Sequence, residues 1–188
     1  MPVQRADARR NYARILAVAE EEVAAHGADA SLEQIARTAG VGSATVRRHF
    51  PSRSALLQAV FRERIENLCA RARDLAGAAD SRAALLEWLA ALTAYAASAR
   101  GLAAVLTQET AGDSDAAHVD ACSAKLTGSV DPLLRRAVRD GAVAPGVTVA
   151  DLVMLVTGIA LATEHHADPA GEANRLLALT VAGVSPER

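Results

Sequence analysis

Aromatic residues are scarce in this chain, 3% of 188 positions, with one Trp, two Tyr and two Phe. Strands draw on aromatic and β-branched residues in alternation, and no alternating run of that kind occurs, which excludes a sheet-based fold. Cysteine is nearly missing as well: Cys69 and Cys122 lie far apart, make no CxxC pair and provide no disulfide framework, so a reducing compartment is expected. The longest apolar run, 152–162, is too short to span a bilayer and contains Thr157 and Gly158. No apolar segment follows the N-terminal MPVQRADARRN, so neither export nor membrane insertion is expected, and the expected location is the cytoplasm. Lysine is reduced to Lys125 alone; the other nineteen of twenty basic residues are arginine. Arginine abundance of that kind reads as coding bias and is not by itself a sign of phosphate recognition.

Sequence motifs for catalysis are absent too. There is no GxSxG, no P-loop and no GxGxxG, and Cys69 carries no sequence sign of activation, so no catalytic residue, cofactor or enzymatic activity is expected. Glu164, His165, His166 and Asp168 form the one group that looks like a metal cluster. Adjacent helical residues diverge by about 100°, however, and HH lacks the i, i+4 spacing of a zinc helix. Cationic residues at a helix C-terminus are the simpler account, and no metal site is expected.

What the chain does have is alanine and leucine at helical spacing, and 51% apolar residues in all. Periodicity begins near Arg9 or Arg10, with Ile15, Leu16, Ala19 and Val23 before Gly27. Ser31 and Gln34 make a capping-box pattern for a second helix that Gly40 ends. A third starts at Gly42 or Ser43 and stops before Pro51; Ser52 caps a fourth, over about 53–72. Further helices are expected over 81–98, 101–110 and 116–139, the 112–115 GDSD being a loop and Pro132 imposing a kink or break. Thr148 caps a helix to about His165, and Pro169 opens the last one, which ends near Gly183. The expected fold is all-α, about nine helices, with a small domain over 1–52 and a larger one over 53–188.

Net charge is −2 but unevenly spread: residues 1–73 carry twelve arginines against eight carboxylates, net +4, and residues 74–188 are net −6. Such asymmetry points to a front end that meets an anion. Residues 31–53, SLEQIARTAGVGSATVRRHFPSR, match that demand as a helix-turn-helix. Ala36 is the small residue at the helix crossing, Gly40 the left-handed turn and Val41 the apolar residue beneath it. Val46 and Phe50 are four apart and share an inward face. Advancing about 100° per residue puts Ala44 and Arg48 opposite them, with Thr45 and Arg47 on the flanks. Arg48 has the geometry for guanine O6 and N7, and Ala44 for a thymine methyl. Arg47 and Thr45 face the phosphate walls, and Ser31 and Arg53 stand at helix starts where a phosphate is favoured. With Ser43 and His49 these complete the expected DNA-binding set.

The same segment resembles the TetR family of bacterial transcriptional regulators, over roughly 10–61. The resemblance is carried by Ile15, Leu16, Ala19 and Gly27, by Ser31-Leu32 with Ile35-Ala36, by Ala39-Gly40-Val41, and by Thr45-Val46 and Arg48-His49-Phe50 ahead of Ser52-Arg53-Ser54-Ala55-Leu56-Leu57. Two positions depart from the family: Arg47 replaces an aromatic residue that packs on the DNA backbone, and Ala44 stands where Gly or Pro is common. Arg53 replaces the usual Lys and keeps the charge. The resemblance implies a homodimer on a palindromic double-stranded DNA operator, acting as a repressor and released by a small-molecule effector. Geometry supports two copies independently, since a recognition helix of about eight residues spans only about 12 Å and reads few base pairs.

In the C-terminal part, Trp88, Leu92 and Tyr95 share a helical face, and with Leu102, Val105, Leu106, Glu109, Leu126, Val130, Met154 and Thr157 they form the expected, largely apolar ligand pocket. The segment DLVMLVTGIALATEHH is apolar nearly all round and must be buried on both sides. Leu152, Val156, Ile159, Leu176, Leu177 and Leu179 are the expected dimer face, the resemblance implying a bundle of the last two helices of each subunit. Two other readings fit the sequence: a constitutive DNA-binding dimer with a filled core, and a helical carrier or enzyme with a regulator-like front end.

Overall fold

The computed structural model describes residues 2–98 and 113–183. The described residues are all-helical, with no strand among them: α1 Pro2–His26, a 3-10 turn Gly27–Asp29, α2 Leu32–Thr38, α3 Ser43–His49, α4 Arg53–Leu75, α5 Ser81–Ser98, α6 Asp113–Arg139, α7 Val149–Thr163 and α8 Pro169–Ala182. The helix expected over 101–110, with Leu102, Val105, Leu106 and Glu109, lies outside the described residues.

Several ends differ from expectation for local reasons. α1 reaches back to Pro2 because helix propensity and a proline in the first turn suffice where apolar periodicity is lacking. α6 starts at Asp113, inside the expected acidic loop. It also runs through Pro132 without a break. The carbonyl that loses its helical donor belongs to Gly128, an exposed residue, so solvent can reach it. At the start of α2 only half of the capping box forms: Ser31 Oγ accepts from Gln34 N at 3.3 Å, but the Ser31 amide donates to Glu22 Oε1 instead. Gln34 is drawn away to Thr38 and Arg37. The reciprocal box appears at α7, between Thr148 and Asp151, and holds the Asp151 carboxyl below its usual range. α7 ends at Thr163, two residues before the expected His165.

Two compact units divide the described residues, 2–63 with 113 and 64–98 with 114–183, and one division falls inside α4. In the first, Ile15, Leu16, Val23, Ile35, Val46 and Phe50 pack with Leu56, Leu57 and Val60 of α4's opening turns. In the second, α5 packs against α7 and α8, which pack on each other. Trp88 of α5 is fully buried there, and its indole N–H donates to the Leu68 carbonyl at 3.1 Å. Arg136 Nη1 donates to the Ala76 carbonyl at 2.9 Å, which ties α6 to the end of α4.

Between α2 and α3 the chain turns through Gly40 at φ +62°. The Gly40 amide donates to the Arg37 carbonyl at 3.1 Å and the Val41 amide to the Ala36 carbonyl at 3.0 Å, a Schellman ending. A Cβ added at Gly40 would meet nothing within 4 Å, so the backbone angle, not space, requires glycine. Gly40→Ala is expected to lower stability by about 1–2 kcal/mol. Gly128, exposed and mid-helix with free space around it, gives the opposite sign: Gly128→Ala should raise stability by about 1 kcal/mol. Urea unfolding of the two variants checks both, and a loss of stability in each would contradict this reading.

Candidate nucleic-acid interface

α3 is seven residues long and shows one buried and one open face. Val46 and Phe50 are 1% and 2% exposed, sealed against α1 and α4, while Ser43, Ala44, Arg47 and Arg48 are exposed and Thr45 is half-buried. The open face therefore presents a methyl and two guanidinium groups, with hydroxyls beside them. Three basic residues fall in the last turn of α3, where the helix dipole favours cations.

The arginines differ in their surroundings. Arg47 Nη2 lies 3.5 Å from Glu33 Oε1 on α2, and Arg53 Nη2 lies 3.6 Å from Asp29 Oδ1 in the 3-10 turn. Among the described residues Arg48 has no ion-pair partner. Arg53 is half-buried, with Nε and Nη2 enclosed and without hydrogen-bond partners, so its reach is limited to the remaining end of the guanidinium. His49 is half-buried: its ring lies edge-on to Tyr12 at 5.9 Å, and Nε2 is enclosed without a partner. Its packing against Tyr12 and Phe50 makes it a support beneath the helix end rather than a group pointing outward. Ser31 is occupied as the α2 cap, its amide given to Glu22 and its oxygen to Gln34.

Among the described residues, those expected around a ligand do not share one cavity. Trp88, Leu92, Leu126 and Val130 are buried in the packed core. Met154, 74% exposed, and the exposed Thr157 sit on the outer side of α7 instead, because they fall out of phase with its inward residues Val156, Ile159, Ala160 and Thr163. Tyr95 opens onto a different space, a groove of about 380 Å³ between α4 and α5, lined by Arg64, Asn67, Leu68, Arg71, Ala91, Ala94 and Ser98. Arg64 stacks over the Tyr95 ring at 5.3 Å and donates to Ser98 Oγ at 3.0 Å, and Arg71 donates to Glu87 at 3.0 Å. Burial pushes the Tyr95 phenol above its usual range, against the pull of Arg64, so it remains a protonated donor near neutral pH.

Of the expected dimer face, Val156, Ile159 and Leu177 turn into the chain's own core, Leu152 and Leu176 are half-buried, and Leu179 is exposed. The outward apolar stripe joins Leu179 to residues outside the expected set: Met154, Leu155, Leu161 and Ala162 on α7, about Gly158, with Val181 on α8. Their steps of three and four are visible in the sequence; the phase that turns them outward is set by packing on α5. Glu33, Asp29 and Tyr12 join the site without any sequence signal, because spacing alone does not reveal pairs made between different helices. Asp168 caps α8 by accepting from Gly171 N at 2.9 Å.

Two family models match the chain. Residues 15–60 match bacterial regulatory proteins of the tetR family, and residues 80–186 match the C-terminal domain of SbtR-like transcriptional regulators. Among solved structures, a TetR transcriptional regulator from Streptomyces coelicolor is 31% identical with a TM-score of 0.74, covering 94% of this chain and 99% of that one. The TetR transcription regulatory protein from Mycobacterium vanbaalenii is 34% identical with a TM-score of 0.67, covering 86% and 96%. The regulator FadR from Bacillus subtilis, solved in complex with stearoyl-CoA, shares the fold at 19% identity and a TM-score of 0.60, covering 93% and 100%. No curated protein matches the chain at a significant level. An all-helical chain with this helix-turn-helix and these two matches belongs to the TetR family of bacterial transcriptional regulators, DNA-binding through its N-terminal helices.

Proposed function

We propose that this regulator is a homodimeric repressor, reading a palindromic operator through α3 of each subunit and leaving it when a small, largely apolar effector carrying an acidic group enters its C-terminal domain. The observation that carries the DNA reading is the open face of α3, where Arg48, without an ion-pair partner among the described residues, stands over a sealed Val46 and Phe50. Arg48 is the base reader. Arg47 and Arg53, with Ser43 and Thr45, anchor phosphates and fix register. Residues 1–52 act as the DNA-binding domain and 53–188 as the regulatory and dimerisation domain.

Pairing of two copies is supported by the exposed stripe of Met154, Leu155 and Leu161 with Leu179 and Val181, an apolar face that favours a protein partner over water. The effector reading rests on the groove beside Tyr95, where Leu68, Ala91 and Ala94 give apolar lining and Arg64 contributes a guanidinium, Arg71 being paired with Glu87. α4 contributes apolar residues to the cores of both units, Leu56 and Leu57 to one and Leu68 and Cys69 to the other, so it is the element through which effector binding acts on α3. An effector that binds the two states differently by about 1–3 kcal/mol changes DNA affinity roughly 5- to 150-fold. Operator binding unaffected by a broad metabolite screen would contradict this effector mechanism, and Arg64→Met should blunt the response to acidic compounds first.

Arg48→Ala is expected to cost about 1–3 kcal/mol on the operator and relax preference at one base position per half-site. Arg53→Ala should instead weaken all sequences alike and flatten the salt dependence. Selection of bound fragments from the source genome, then anisotropy titrations, reads both, and identical sequence profiles for the two variants would overturn the division of roles. At the dimer face, Leu161→Glu should yield a folded monomer with lost operator binding. Leu177→Ala, in the core, should keep the dimer and lose about 2–5 kcal/mol of stability. Sedimentation and urea melts separate the two, and a dimeric Leu161→Glu protein would exclude this face as the contact.

A further inference from the structure

The arginines assigned to phosphates are the ones that already hold carboxylates. Arg47 from α3 faces Glu33 on α2 at 3.5 Å, and Arg53 from α4 faces Asp29 in the turn before α2 at 3.6 Å. Both pairs join different elements, so the fold creates them rather than neighbouring positions on one helix. Both carboxylates are open to solvent, with side-chain exposures of 64% and 98%, so neither is required to neutralise a buried charge. Arg48, the base reader, has no such partner among the described residues.

A guanidinium engaged with a carboxylate must let go of it to make the same contact with a phosphate. The released carboxylate stays on the same surface, where it opposes the phosphate and attracts a cation. Part of the counterion release that drives binding to DNA is thereby cancelled. We infer that Glu33 is a resident competitor of the DNA phosphates: it holds Arg47 in the free protein and is displaced on binding. It sets how strongly, and with what salt dependence, the regulator holds any DNA, while base preference stays with Arg48. This inference rests on the DNA reading proposed above and adds a residue-level control on it. Glu33 also lies in the first turn of α2, where a carboxylate supports the helix dipole. A purely helical role would make the effect of Glu33→Gln on DNA affinity independent of Arg47, and this separates the two accounts.

The test uses the full chain, with a genomic fragment that it selects and a random-sequence duplex of equal length, titrated at several salt concentrations. Glu33→Gln is expected to bind both duplexes about two- to five-fold more tightly and in equal proportion, the range that exposed ion pairs span. Its plot of log K against log salt should steepen by up to about one. In an Arg47→Ala background the gain from Glu33→Gln should disappear. Weaker binding by Glu33→Gln would overturn the inference, as Glu33 would then be positioning Arg47, and so would a gain that survives in the Arg47→Ala background. Wild-type protein that binds DNA while Glu33→Gln behaves identically overturns the inference alone; wild-type protein that binds neither duplex overturns the DNA reading together with it. Thermal melts of both variants establish that the fold is intact.

Discussion

Everything at the DNA face depends on the reversal of the chain at Gly40. One residue in the left-handed region, fixed by two amide-to-carbonyl bonds back to Arg37 and Ala36, ends α2 and sets the direction in which α3 leaves. That direction decides which side of α3 is sealed. With Val46 and Phe50 committed to the core, helical geometry leaves Ala44, Arg47 and Arg48 no option but the outside. The apolar core shared by α1, α2, α3 and the start of α4 then holds the face rigid enough to be read against a groove.

Charge on this face is arranged, not merely accumulated. A front end of net +4 still carries eight carboxylates, and two of them stand beside arginines on other elements. Phosphate attraction grows with every free cation, so a surface of unopposed arginines would bind all DNA strongly and release it slowly. On the roles proposed above, opposing Arg47 while leaving Arg48 open separates strength of binding from choice of sequence.

Much of this is legible in the sequence through local signals. The caps at Ser31, Ser52, Thr148 and Pro169, the glycine stop at Gly40 and the inward pair Val46 and Phe50 all act within a few residues, and the chain obeys them. Features set by neighbours distant in sequence are not legible there. An apolar run does not reveal the phase of α7, so spacing puts Val156 and Ile159 outside and Met154 inside, the reverse of their burial. Proline at 132 reads as a break because the exposure of Gly128, which lets solvent reach the freed carbonyl, is a tertiary property. The pairing of Arg47 with Glu33 is hidden for the same reason: their separation of fourteen residues acquires meaning only once the turn at Gly40 is in place.

Amide chemical-shift mapping on adding an operator fragment tests the central claim most directly, that α3 is the DNA-reading element. The largest shifts are expected at 43–48 and at Arg53, with the α7 stripe little changed. Shifts concentrated on α7 and α8 with α3 unaffected would contradict it.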